Sequence, residues 1–105
     1  MDNRSRERSL KRLMVRYGVD KADRTAFTKN LSETGIYVKT NAVFKPGTTL
    51  QLEVRAPDQA FHMWARVVWA KKVPAQLAHV LECGMGLSLV NPDPQWAEFV
   101  QRRLG

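Results

Sequence analysis

From Leu50 to Arg55 the chain alternates without a fault, Leu50, Leu52 and Val54 being apolar and Gln51, Glu53 and Arg55 polar. Successive side chains of a strand point to opposite faces, so this period of two describes a strand with one buried and one wet face. The same period returns elsewhere. Leu13, Val15, Tyr17 and Val19 alternate with Met14, Arg16 and Gly18, and Phe61, Met63, Ala65, Val67 and Trp69 alternate with His62, Trp64, Arg66 and Val68. The stretch 61–71 carries apolar side chains on both faces, which implies that another element covers one of them.

The segments between supply further strands and their ends. Residues 25–31 are β-prone, with Ala26, Thr28 and Asn30 on one face and Thr25, Phe27, Lys29 and Leu31 on the other. Gly35 opens a strand over 36–40 with Ile36 and Val38 inward, and 84–90 reads as the last strand, its glycines permitting close approach or a bulge. Residues 20–24 read as a turn, Lys45-Pro46-Gly47 fits a type II turn, and Pro57-Asp58 breaks the strand before it. Residues 73–83 are the least legible. Leu77, Val80 and Leu81 have helical spacing, yet a wide hairpin connection suits the neighbouring strands better, so a loop or irregular strand is expected.

Asn91-Pro92-Asp93-Pro94 ends the last strand and starts a helix over 93–104, with Asp93 as N-cap and Pro94 at the first helical position. Trp96, Phe99, Val100 and Leu104 form its apolar stripe, and Arg102 and Arg103 suit its C-terminal dipole. Five or six short strands with no strand–helix–strand alternation argue for a small barrel. The expected fold is all-β: a six-stranded antiparallel barrel over 13–90, the C-terminal helix, and a flexible basic arm over 1–12.

Composition bounds what such a fold can belong to. A chain of 105 residues that is 44% hydrophobic and 26% charged has material for one core, so 1–105 is expected to be a single domain. No apolar run approaches the roughly 18 residues of a membrane span, and Met1-Asp2-Asn3-Arg4-Ser5-Arg6 lacks the apolar stretch of a signal peptide. A cytoplasmic location is expected. The lone Cys83 excludes an intrachain disulfide and a cysteine-pair metal site, and reads as a small hydrophobe. His62 and His79 are seventeen residues apart and lack metal-ligand spacing. Ser32 sits in no nucleophile elbow, and neither a Gly-rich phosphate loop nor an Asp/Glu cluster is present. Neither an enzyme nor a cofactor is expected. Trp64, Trp69 and Trp96 default to core or sub-core packing.

Net charge is +7, and six of the seventeen basic side chains fall in residues 1–16 against two acids. In residues 1–12 Leu10 is the one apolar side chain besides Met1, while Arg4, Arg6, Arg8, Lys11 and Arg12 repel one another. Such a segment has little to bury against the roughly 1 to 2 kcal/mol of backbone entropy lost per fixed residue. Three overlapping Arg-x-x-x-Arg pairs occur, Arg4/Arg8, Arg8/Arg12 and Arg12/Arg16. Arg16 falls inside a strand, on the face opposite the apolar set, which sets Arg12/Arg16 aside and leaves Arg4/Arg8 and Arg8/Arg12.

Asn30-x-Ser32-x-x-Gly35 is the sharper motif. An amide at 30 can donate to and accept from a base edge, a hydroxyl at 32 shares its face, and Gly35 permits a turn with positive φ. Arginine forks suit phosphate or guanine O6 and N7. An anionic guanine nucleotide would use both sets.

These residues resemble the PilZ domains, bacterial receptors for the second messenger cyclic di-GMP. In that family an Arg-x-x-x-Arg arm runs into the first strand of a β-barrel, and [Asp/Asn]-x-Ser-x-x-Gly follows at the turn between the second and third strands. Here Arg8-Ser9-Leu10-Lys11-Arg12 runs into Leu13-Met14-Val15-Arg16-Tyr17, and Asn30-x-Ser32-x-x-Gly35 follows. Arg66-Val67-Val68-Trp69-Ala70 and Gly84-Met85-Gly86-Leu87-Ser88-Leu89 resemble the late strands. Asn30 stands where many members carry Asp, so a carboxylate acceptor is lost. The resemblance implies a cyclic di-GMP site made of Arg8, Arg12, Asn30, Ser32 and Gly35, with Trp69 and Gly86 beside the ligand and Arg4, Arg6 and Lys11 adding attraction. It also implies a downstream protein partner, which the sequence does not name.

Two other readings follow from the same residues. One is a sequence-tolerant nucleic-acid-binding barrel, whose basic arm neutralises phosphates and whose strand aromatics stack on bases. Most aromatics here lie on faces that read as core, and no specific nucleic acid is expected. The other is a PilZ-like module that acts only through proteins, against which the retention of both motifs speaks.

Overall fold

Among the described residues of the computed structural model, 12–77 and 80–104, alternation becomes strand at six places. These are β1 (Met14–Gly18), β2 (Arg24–Leu31), β3 (Gly35–Lys39), β4 (Thr49–Arg55), β5 (Ala60–Lys71) and β6 (Gly84–Val90), followed by one helix, α1 (Pro94–Leu104). The strands close into a barrel in the order β1-β2-β3-β6-β5-β4, every neighbouring pair antiparallel. Arg4, Arg6, Arg8, Lys11 and His79 lie outside the described residues.

The inward set fills the barrel. Val15, Tyr17, Val38, Leu50, Val54, Ala65 and Met85 are fully buried, and α1 covers one opening with Trp96, Phe99 and Val100. The Trp96 and Phe99 rings meet Phe61 at centroid distances of 5.1 and 5.2 Å, burying apolar area worth about 1.5 to 3 kcal/mol per ring. The helix starts where the sequence implies: Asp93 Oδ1 accepts the Gln95 N–H at 2.8 Å. Asn91, at φ 47°, takes the left-handed turn that asparagine tolerates. The Leu104 side chain lies outside the described part. No helix among the described residues is long and apolar enough to cross a membrane.

The turns follow their residues. Thr48 N–H donates to Lys45 O at 3.2 Å across Pro46 and Gly47, the latter at φ 93°, as a type II turn requires. β1 ends at Gly18, where a Cβ would collide with the Lys21 carbonyl, so Val19 turns out to solvent instead of continuing the inward set. Among the described residues, the connection after β5 holds a 3₁₀ turn at Ala75–Leu77 and is otherwise irregular. Leu77, Val80 and Leu81 are exposed there, so their helical spacing marks no buried face. Cys83 is buried, its Sγ accepting the Val73 N–H at 3.4 Å.

Strict alternation fails twice. On β2 the pairing passes from Thr28↔Val38 to Asn30↔Tyr37, leaving Lys29 as an extra residue. Ala26, Thr28 and Leu31 are therefore buried while Asn30 faces out, which separates Asn30 from the set expected to share its face. On β5 the pairing passes from Val67↔Leu87 to Trp69↔Gly86, and Val68 is the extra residue. Trp69, expected inward with Val67, is turned outward and stays 41% exposed. Trp64 is also outside the core, 51% exposed beside Val90. His62, Trp64, Arg66 and Val68 are all exposed, so among the described residues nothing covers the second face of β5.

Candidate functional site

The two bulges act on one row of residues. Asn30 on β2 pairs with Tyr37 on β3, Tyr37 with Gly86 on β6, and Gly86 with Trp69 on β5. Ile36, Val38, Met85 and Leu87 flank this row and point inward, so Tyr37 and Gly86 face out. Without an extra residue at Lys29 and at Val68, Asn30 and Trp69 would point into the barrel. With both, the row carries the Asn30 amide at one end and the Trp69 indole at the other, with the Tyr37 ring and Gly86 between them. It floors a depression of about 290 Å³, also lined by Ser32, Gly35 and Val68.

Glycine at 86 leaves the space that the Trp69 indole fills. A Cβ there would fall within the Trp69 indole, which lies over Gly86 and meets the Tyr37 ring at 5.0 Å and 65°. The two rings make an apolar wall of the kind on which a planar base stacks.

The turn after Asn30 is held by its own hydroxyl. Ser32 Oγ accepts the N–H groups of Gly35 at 3.1 Å and Thr34 at 3.3 Å, while Ser32 N–H donates to Gly35 O at 2.8 Å. Ser32 thus shapes the turn, and its hydroxyl is already engaged. Gly35 is not needed for a positive φ, which among the described residues occurs only at Gly47 and Asn91. Its place is a close backbone approach: a Cβ would lie 3.1 Å from Leu87 O, a tight contact. Behind the turn, buried Trp96 donates its indole N–H to Ser32 O at 3.0 Å, and Leu89 N–H donates to Thr34 O at 2.9 Å.

Arg12 does not reach this depression. Its guanidinium lies over the exposed Phe27 ring at 4.7 Å, on the wall of a larger cleft of about 750 Å³ that also includes Lys29, Lys39 and Glu82. Arg16 sits further off, on β1 opposite Thr25 and Glu53. The boundary between cleft and depression is a charged cluster. Lys29 Nζ donates to both Glu82 carboxylate oxygens at 2.7 and 2.8 Å, Tyr37 O–H donates to Glu82 at 3.0 Å, and Lys39 stands 3.7 Å from it. Bonds from Lys29 and then Tyr37 hold the Glu82 carboxyl below its usual range, and Glu82 in turn raises the Lys29 ammonium. Burial, and then the bond to Glu82, raise the Tyr37 phenol.

The PilZ domain family model matches residues 2–103. The chain belongs to the PilZ domain family. Among solved structures it is similar to the Bacillus subtilis inhibitor of motility (MotI/DgrA), at 19% identity and a TM-score of 0.72. The match covers 89% of this chain but 46% of that one, so this chain spans less than half of that protein's length. No curated protein matches it.

PilZ domains are binding modules. Asn30, Ser32, Gly35, Trp69 and Gly86 come together on one outer face, with Arg12 in the neighbouring cleft. Tyr37, Lys29 and Glu82 are additions that the motifs did not single out. Tyr37 was within reach of sequence reasoning, since it alternates with inward Ile36 and Val38 beside Gly35. The pairing of Lys29 with Glu82, 53 residues away, has no local signal. Among the described residues no group of three or more His, Cys, Asp or Glu side chains is placed to hold a metal.

Proposed function

We propose that this PilZ domain is a cyclic di-GMP receptor that passes the second-messenger signal to a partner protein. The observation that carries the reading is the outward row: two separate bulges are needed to present Asn30 and Trp69 together, and Gly86, the row's residue next to Trp69, leaves room for the indole. In this reading the Asn30 amide meets a guanine edge and Trp69 with Tyr37 flanks a base. Ser32 and Gly35 contribute by holding the turn. Arg12 and Arg8, assigned on the Arg-x-x-x-Arg motif, bind phosphate and stack on guanine, Arg12 offering the guanidinium face away from Phe27. The coupling to a partner runs through Trp96, whose bond to Ser32 O joins the turn to α1.

A second reading is favoured by one feature, the exposure of Trp64, Trp69 and Phe27 beside Arg66 and Lys29 on the outer strands. Exposed aromatics interleaved with cations are what a single-stranded nucleic acid would use. Calorimetry separates the two. The receptor reading expects saturable heat with cyclic di-GMP and none of comparable affinity with GTP, cyclic GMP or single-stranded DNA. DNA binding that weakens steeply with salt, with no dinucleotide binding, would replace it with the second.

A further inference from the structure

We infer that Lys29 is a phosphate-binding position of the dinucleotide site and that Glu82 occupies it in the free protein as an internal competitor. The inference rests on the cyclic di-GMP reading and adds to it a binding residue and a brake. A ligand that touches both Arg12 in the cleft and Asn30 in the depression must cross the boundary between them, and that boundary is Lys29 over the Tyr37 ring, 5.9 Å from its centroid. Lys29 is there because it is the bulged residue of β2, placed outward immediately before Asn30.

What Lys29 holds is an anion. The Glu82 carboxylate receives both contacts from Lys29, a hydroxyl from Tyr37 and the more distant charge of Lys39, the same donor set that two phosphate oxygens would take. Glu82 arrives on the irregular connection before β6, not on a rigid strand. The pair is also open to water: the side chains of Lys29 and Lys39 are 51% and 60% exposed, and Glu82 31%. Exposed pairs of this kind contribute little to stability, so a phosphodiester can displace the carboxylate at small cost. Glu82 therefore sets how much ligand is needed, and its removal frees Lys29 without touching Asn30, Trp69 or Arg12.

The test is calorimetry with cyclic di-GMP on the full chain and three variants, Glu82→Gln, Lys29→Gln and the double substitution, with thermal melts to verify folding. Glu82→Gln is expected to tighten binding by about fivefold and Lys29→Gln to weaken it by about tenfold. In the double variant the gain from Glu82→Gln should disappear, because the cation it competes for is gone. Binding by the natural chain that is unchanged or weakened in Glu82→Gln would overturn this inference and leave the receptor reading standing. Binding seen only in Glu82→Gln would support a strong brake. No binding by either would overturn both.

Discussion

Trp96 donates its indole N–H to the carbonyl of Ser32 at 3.0 Å, across 64 residues of sequence, and is itself fully buried. The bond makes the C-terminal helix a structural neighbour of the Ser32 turn. Trp96→Phe keeps an aromatic ring against Phe61 and Phe99 but leaves the Ser32 carbonyl unpaired and a small void. We expect a loss of about 2 to 4 kcal/mol in unfolding free energy. Amide exchange at Thr34 and Gly35 should accelerate more than exchange in β4. Uniform acceleration along the chain would mean that the bond stabilises the fold without specially restraining the turn.

Gly86 and Gly84 share β6 but answer to different neighbours. The three atoms nearest a Cβ at 86 all belong to the Trp69 indole, a part-exposed side chain that can swing away. A Cβ at 84 would lie 2.7 Å from the Val38 carbonyl, which cannot move freely. Gly86→Ala is therefore expected to shift Trp69 fluorescence and weaken cyclic di-GMP binding by about 1 to 3 kcal/mol through lost stacking, with little change in Tm. Gly84→Ala should lower Tm by several degrees. Equal losses of stability in both would show that Trp69 is fixed in place.

Much of this was legible in the chain, for physical reasons that differ by element. β4 could be read because Leu50, Leu52 and Val54 obey one period from end to end. The helix could be read because Asp93 and Pro94 are chemical start signals and its Trp96, Phe99 and Val100 share a face. The directions of Asn30 and Trp69 could not. A bulge is one extra residue, and nothing in Thr28-Lys29-Asn30 or Val67-Val68-Trp69 states that Lys29 or Val68 is the one left over; cross-strand pairing decides it. The positive φ that a glycine at 35 suggests does not occur; its backbone instead passes close to the Leu87 carbonyl. Lys29 and Glu82 meet only through the fold.

Asn30 and Ser32 should separate on mutation although they belong to one motif. The Asn30 amide is exposed and makes no hydrogen bond among the described residues, whereas the Ser32 hydroxyl accepts two turn N–H groups. Asn30→Ala is expected to cost about 1 to 3 kcal/mol in ligand binding, roughly five- to 150-fold, and almost nothing in thermal stability. Ser32→Ala should lower both, stability by about 1 kcal/mol. A fall in Tm for Asn30→Ala with affinity intact would make it a turn residue instead.

Two tyrosines should resist ionisation. Burial raises the Tyr17 phenol, which donates to Ala42 O at 2.7 Å and stands 2.8 Å from Thr40 Oγ1, and burial with the Glu82 contact raises Tyr37. Each holds its proton more tightly in the folded chain than in the unfolded one. Their contribution to stability is thus intact below the ordinary value of 10.0 and is lost as pH rises through the higher folded-state values. Phenolate absorbance should lag behind that of the denatured protein, and Tyr37→Phe should remove part of the lag. Coincident titration curves for folded and denatured chain would contradict this.

The outward row is the centre of the account, and amide and indole chemical shifts read it residue by residue. Cyclic di-GMP titrated into the labelled 105-residue chain should move the Asn30, Gly35 and Gly86 amides and the Trp69 indole N–H, with smaller changes passed to the Trp96 indole through Ser32. Shifts gathered instead around Trp64, Arg66 and Val90, or a spectrum unmoved at millimolar ligand, would contradict it.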